Sequence, residues 1–180
     1  MEYDLIRLLE HDICLFELIP SAIVTFEAGG TNRCAVEVEW RRSAGEPSAA
    51  TTVTLTWDHD TLRPHLPHLD RQLHSRRERD DDRATRTEEA AVVVAAAVLA
   101  HLEPETRFTR RSDTGTRHDY YLNDTNDEMI EVAGRWEGGL PGLFDQKRAQ
   151  SNLNPGLRRR WVSVTIARTS ARNRTEGLHP

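Results

Sequence analysis

Arg117-His118-Asp119-Tyr120-Tyr121-Leu122, then Asn123 to Asp127, then Met129-Ile130-Glu131-Val132-Ala133 are the residues that decide how this chain is read. Two short runs of apolar and aromatic residues flank a connector made only of Asn, Asp and Thr, the pattern of two paired strands and a polar turn. Each run carries one carboxylate, Asp119 in the first and Glu131 in the second. Working outward, Thr106 to Arg111 reads as a strand antiparallel to the first run, joined to it by a turn over Ser112 to Thr116 built around Gly115. Before it, Thr87-Glu88-Glu89 opens a helix, with Thr85 or Thr87 as cap and acids in the first turn, running to about His101–Glu103 ahead of Pro104. After Ala133, Pro141 to about Leu153 reads as a second helix and Asn154-Pro155-Gly156 as a break. Arg159 to Ala167 is a last strand, with Val162, Val164 and Ile166 on one face. The predicted fold class is α/β (α+β), with an αβββαβ core over residues 83–170 around a mixed central sheet.

The N-terminal part, residues 1–82, reads as a helix plus an antiparallel β extension and a linker ahead of the core. Glu2 to Ile19 predicts an amphipathic helix followed by a more extended buried stretch before Pro20. Ala22–Glu27 and Cys34–Arg41 alternate around Gly29-Gly30-Thr31-Asn32 and predict a hairpin, with Thr51–Trp57 as a third strand of an antiparallel β extension. A short helix is expected from Leu69 to Arg79, and Asp80-Asp81-Asp82 as a solvated linker. Residues 171–180 read as a flexible tail.

Length and composition bound what such a chain can be. At 180 residues, 37% apolar and 29% charged, it can bury a real core as one domain of ordinary size. The uncharged run Ala90 to Ala100 is 11 residues, short of the roughly 20 needed to cross a bilayer, so it reads as a buried helix and no membrane partner is expected. Cys14 and Cys34 follow no secretory pattern and read as free thiols in a cytoplasmic protein. The net charge of −5 hides an asymmetry: residues 1–60 carry 4 arginines and 11 acids, and residues 104–180 carry 13 basic and 10 acidic side chains. A polyanion would approach the C-terminal half.

Of the 24 basic side chains only one, Lys147, is a lysine. Arginine cannot stand in for lysine where a compact cation must sit beside a reacting phosphate. Asp119, Glu131, Lys147 and Gln150 fall in order on strand, strand and helix. Carboxylates about 4–6 Å apart raise one another's pKa unless a cation lies between them. An oxygen-rich pair of this kind suits Mg²⁺ (or Mn²⁺), with a phosphate supplying further ligands and water as the nucleophile.

This order of elements and acids resembles the restriction-endonuclease-like, or PD-(D/E)XK, nuclease superfamily, over roughly Thr87 to Arg168. The run Gly115 to Leu122, followed by Ile130-Glu131-Val132-Ala133-Gly134, is similar to a pattern in bacterial proteins assigned to it. The resemblance implies metal-dependent cleavage of nucleic acid, DNA in preference to RNA. It implies Asp119 and Glu131 as metal ligands with Glu88 or Glu89 from the first helix, and Lys147 as the catalytic cation supported by Gln150. It also implies self-association or a larger protein partner, as in bacterial defence or mobile-element systems. The family's usual lysine, two residues after the acid of the third strand, is here Ala133, and Lys147 on the next helix is the residue able to replace it.

Arg117, Arg135, Arg158, Arg159 and Arg160 are the candidate phosphate contacts, with Trp161 either stacking on a base or packing beneath the arginines. Each residue also has a plainer reading. Asp119 can pair with Arg117 or Arg135, Glu131 can face solvent between Ile130 and Val132, and Glu88 and Glu89 can serve only the helix dipole. His59, His65, His68 and His74, with Asp58, Asp60 and Asp70, include plausible transition-metal ligand spacing at His65 and His68, but Pro64 and Pro67 put these histidines in a loop with no CxxC or helical HxxxH partner, so metal binding is not the expected role. The alternative function is a catalytically inactive nuclease fold that acts as a binding or assembly module for a protein partner.

Overall fold

Asn123 and Asp124 both adopt left-handed backbone, with φ of 55° and 51°, a conformation that short polar side chains tolerate best. They turn β5 (Tyr120–Leu122) back into β6 (Glu128–Arg135), pairing Tyr120 with Ile130 and Tyr121 with Met129. Asn123 also fixes the turn with its side chain. Its Oδ1 accepts from the Arg107 N–H at 2.9 Å and its Nδ2 donates to Glu128 at 2.9 Å. The computed structural model describes residues 1–11, 13–27, 30–42, 45–78, 83–112, 119–153, 157 and 159–167, leaving aside the side chains of 10, 11, 13, 14, 110 and 160. The expected turn at 112–116, the candidate contacts Arg117 and Arg158, the Asp80–Asp82 linker and the 171–180 tail lie outside these residues in whole or part.

The fold is mixed α/β. Among the described residues the elements are β1 (Glu2–Asp4), α1 (Leu8–His11), α2 (Ile19–Phe26), β2 (Arg33–Arg41), β3 (Ala49–Thr56), α3 (His59–Leu62) and α4 (Leu69–Glu78). Then follow α5 (Arg83–Leu102), β4 (Phe108–Arg111), β5, β6, α6 (Leu140–Asn152) and β7 (Arg159–Ile166). The expected helix-strand-strand-strand-helix-strand succession is α5-β4-β5-β6-α6-β7. One seven-stranded sheet runs in the order β1-β3-β2-β7-β6-β5-β4. Strand β5 is antiparallel to both of its neighbours, β4 and β6, and β7 returns parallel to β6 after the α6 crossover.

Strand β2 pairs with the free edge of β7, Glu37 opposite Ile166 and Arg41 opposite Val162, so the N-terminal hairpin extends the same sheet and closes an edge that would otherwise be open. That hairpin is β2 with β3, and the expected strand Ala22–Glu27 is part of helix α2 instead. Ile19 to Phe26 is buried on nearly every side, so no period distinguishes helix from strand. Pro20 sits in the first helical turn, where its missing N–H costs nothing. The stretch before it, Ile13–Leu18, is a 3-10 helix rather than extended.

Helix α5 is the spine of the molecule, with Ala90 to Ala100 buried between the sheet and α2. It begins at Arg83, and Thr87 lies inside it, its hydroxyl donating to the Arg83 carbonyl at 2.8 Å, so Thr87 is not the cap. Gly134 on β6 lets the helix come this close: a Cβ there would overlap the Thr87 carbonyl and lie 2.8 Å from Ala91 Cβ. No helix among the described residues is long and apolar enough to cross a membrane. On the opposite face of the sheet, α6 packs Leu143 and Phe144 against Val162, Val164, Ile166 and Ala133.

Candidate functional site

The site is built around the start of β5. Its ladder begins at Tyr120, and just ahead of it Asp119 still donates its backbone N–H to the Ile130 carbonyl at 3.1 Å. One step further along β6, the Val132 N–H is met not by a strand but by the Asp119 carboxylate, with Oδ2 accepting at 2.7 Å. Asp119 is therefore anchored beside β6 by both its backbone and its carboxylate, and its second carboxylate oxygen has no role in the ladder.

Alternation along β6 does the rest. Ile130 and Val132 belong to the core beneath α5, so Glu131 and Ala133 project to the other face, where α6 lies. Lys147 is three and four residues beyond Phe144 and Leu143, on the side of α6 that meets the sheet. Its ammonium donates to Glu131 Oε1. Glu131 is 0% exposed, and its other oxygen, Oε2, is buried without a hydrogen-bond partner among the described residues. Burial and then the neighbouring Asp119 charge push the Glu131 carboxyl up to about 7, against the opposing pull of Lys147. The solvated reading of Glu131 is thus overturned.

Asp119 and Lys147 open onto a cleft of about 180 Å³, walled on the α5 side by Glu88, Glu89 and Val92 and at the sheet by Tyr120, Val132 and Ala133. The two helix acids differ. Glu89 accepts from Ser21 and from Arg76 at 2.9 Å, tying α5 to α2 and α4. Glu88 is exposed and unpaired among the described residues, which makes it the available acid of the two. Gln150 is half-buried, does not line the cleft, and its side chain makes no hydrogen bond among the described residues.

Of the arginines expected to contact phosphate, the two whose side chains are described, Arg135 and Arg159, do not line the cleft. Arg159 pairs with Glu103 at 2.6 Å, and Arg42 joins the same carboxylate. Glu103 lies 15 residues along from Glu88, about 22 Å by helical rise, so this cluster ties the far end of α5 to the sheet. Arg160 is in β7 with its side chain outside the described set. Arg135 is exposed at the end of β6, 3.4 Å from Gln146 and four residues, roughly 13 Å, along the strand from Glu131. Trp161 is 1% exposed and packs against Trp40 with ring centroids 6.0 Å apart, so it belongs to the core and is no base platform. His65 lies edge-on to Phe16, and the exposed His74 ring lies 3.3 Å from the exposed Glu78 carboxylate.

Sequence reasoning missed Arg111. It is the last residue of β4, pairs across the sheet with Tyr120, and lines the cleft. Its register one position from Asp119 was the available signal.

The donor set suits a hard divalent cation in part. Among the described residues no group of three or more His, Cys, Asp or Glu side chains stands close enough to hold an ion. Glu131 with its orphaned Oε2 and Asp119 with its spare oxygen form a pair, and Mg²⁺ commonly takes one or two carboxylates and completes its shell from water and phosphate. No protein-family model, characterised protein or solved structure matches the chain.

Proposed function

We propose that this chain is a divalent-metal-dependent nuclease of the PD-(D/E)XK type that hydrolyses phosphodiester bonds in DNA. It would act in the cytoplasm, self-associated or within a larger bacterial defence or mobile-element assembly. The observation that carries the reading is the buried Glu131, held by the chain's single lysine and beside Asp119, with Lys147 and Asp119 themselves lining a cleft. The α5-β4-β5-β6-α6-β7 succession, with β7 parallel to β6, supports it further.

Asp119 and Glu131 are the residues that would hold Mg²⁺ or Mn²⁺, with Glu88 at the cleft wall. When bound, the ion supplies the charge that polarises the phosphodiester and activates water. Lys147 has two tasks. It offsets the repulsion between the carboxylates, and its remaining N–H donors are free to orient a phosphate oxygen or the attacking water. As the water oxygen bonds to phosphorus the P–O ester bond breaks, and the ammonium opposes the charge that builds on the phosphoryl oxygens. Ala133, where a lysine is usual in that superfamily, lines the cleft with a methyl group and leaves its centre to Lys147.

The test is incubation of the purified protein with plasmid and with single-stranded DNA in Mg²⁺ or Mn²⁺, beside Asp119→Ala and Lys147→Ala. Cleavage by the parent alone is expected, and equal inactivity of all three overturns the reading. One observation favours the alternative of a non-catalytic binding or assembly module: Lys147 and Val132 already occupy one oxygen each of Glu131 and Asp119. Inactivity of the parent in both metals would select it.

A further inference from the structure

Arg111 differs from the other arginines near the sheet. Its side chain makes no ion pair or hydrogen bond among the described residues, it is exposed, and it lines the cleft onto which Asp119 and Lys147 open. By contrast Arg159, Arg76 and Arg63 are each held by a carboxylate. The register fixes where Arg111 stands. It is directly opposite Tyr120, and Tyr120 is opposite Ile130, so all three lie on the α5 face of the sheet, where Tyr120 packs on Phe108. Lys147 approaches the same cleft from the α6 face. The cleft therefore passes around the beginning of β5 with one cation on each side. The two strand spacings from Arg111 to β6 amount to about 10 Å, a gap that an arginine side chain and a phosphodiester together can span.

We infer that Arg111 is the substrate clamp of the cleft, a positioning residue whose guanidinium grips a phosphate oxygen of the nucleic-acid backbone from the α5 side. Lys147 acts at the reacting phosphate from the other side. Arginine suits this task because its planar fork presents two parallel N–H donors to a phosphate, whereas ammonium offers only a point charge. The same positive charge offsets the repulsion that Glu88, Asp119 and Glu131 would otherwise exert on an approaching polyanion. This assignment rests on the phosphodiester substrate proposed above, but not on hydrolysis being intact.

The experiment compares the full chain with Arg111→Ala and Arg111→Lys, using Arg63→Ala as a distant control. Binding of a fluorescent DNA oligonucleotide is measured across a salt series in EDTA, and cleavage kinetics in Mn²⁺. Arg111→Ala is expected to weaken binding about 10-fold or more and to lower the slope of log affinity against log salt by roughly 0.7–0.9, the loss of one phosphate contact. KM should rise more than kcat falls. Arg111→Lys should restore the salt slope but only part of the affinity, and Arg63→Ala should match the parent.

If the parent cleaves and Arg111→Ala keeps its slope and KM, the clamp is overturned while the nuclease reading stands. If the parent binds without cleaving and Arg111→Ala loses the slope, the clamp is supported and the hydrolytic reading fails. A parent that does not bind DNA at all overturns both.

Discussion

Replacing Glu131 with Gln removes a buried charge and keeps the shape, so it isolates what that charge costs the fold. The Glu131 carboxyl moves from its ordinary 4.5 to about 7 through burial and the Asp119 charge. The folded protein thus holds this proton more tightly than the unfolded chain does. For an acid raised in this way the sign is fixed: stability is greatest below 4.5, falls as pH climbs toward 7, and levels off above it. At about 1.4 kcal/mol per tenfold change in proton affinity, the span corresponds to a loss of up to roughly 3 kcal/mol. Urea unfolding of the parent and Glu131→Gln in EDTA, from pH 4 to 8.5, reads it directly. The parent minus variant difference should decline by up to that amount between pH 4.5 and 7, and Mg²⁺ should flatten the decline by stabilising the ionised form. A difference that rises with pH would mean that Lys147 outweighs burial and Asp119, which would refute the electrostatic account of the site.

Three further outcomes follow from contacts already described. Lys147→Ala leaves Glu131 buried without its cation and should cost about 2–3 kcal/mol at pH 8 but less at pH 5, where the carboxyl is protonated, as measured by urea unfolding at both values. Gly134→Ala places a methyl group against the Thr87 carbonyl and Ala91 and should lower stability by about 2–3 kcal/mol, visible as a drop in Tm. Arg159→Ala breaks the ion pair with Glu103 and should cost about 1 kcal/mol while leaving DNA affinity within roughly twofold, since the pair lies far along α5 from the cleft.

Much of the C-terminal half was legible because local signals agreed there. Asn123 and Asp124 announced a turn, and Pro141 marked a helix that carried Lys147 with Leu143 and Phe144, whereas the alternation of Ile130 and Val132 put Glu131 on the other face without saying that α6 covers it. Position along the chain then implied position in space. The N-terminal half was harder. Ile19 to Phe26 is buried all round, so its apolar run carries no period, and only Pro20 hinted at a helix start. The pairing of β2 with β7 joins residues more than a hundred apart, which no local pattern encodes.

At the site, the acids and the lysine could be read from type and order, but the arginines could not. Charge alone does not say whether Arg159 faces Glu103 or a phosphate, nor that Arg111 stands beside the cleft. Both depend on strand register and on what α5 brings over the sheet. Trp161 shows the same limit, since its neighbouring arginines suggested a nucleic-acid surface while Trp40 across the β2–β7 ladder makes it core.

The most direct measurement is a crystal structure of the protein grown with Mn²⁺, with the ion located by its anomalous signal. The account predicts a single strong peak in the cleft, bonded to Glu131 and Asp119, with the Lys147 ammonium beside it. Saturating Mn²⁺ with no peak between these carboxylates, and Lys147 still closed on Glu131, would contradict it.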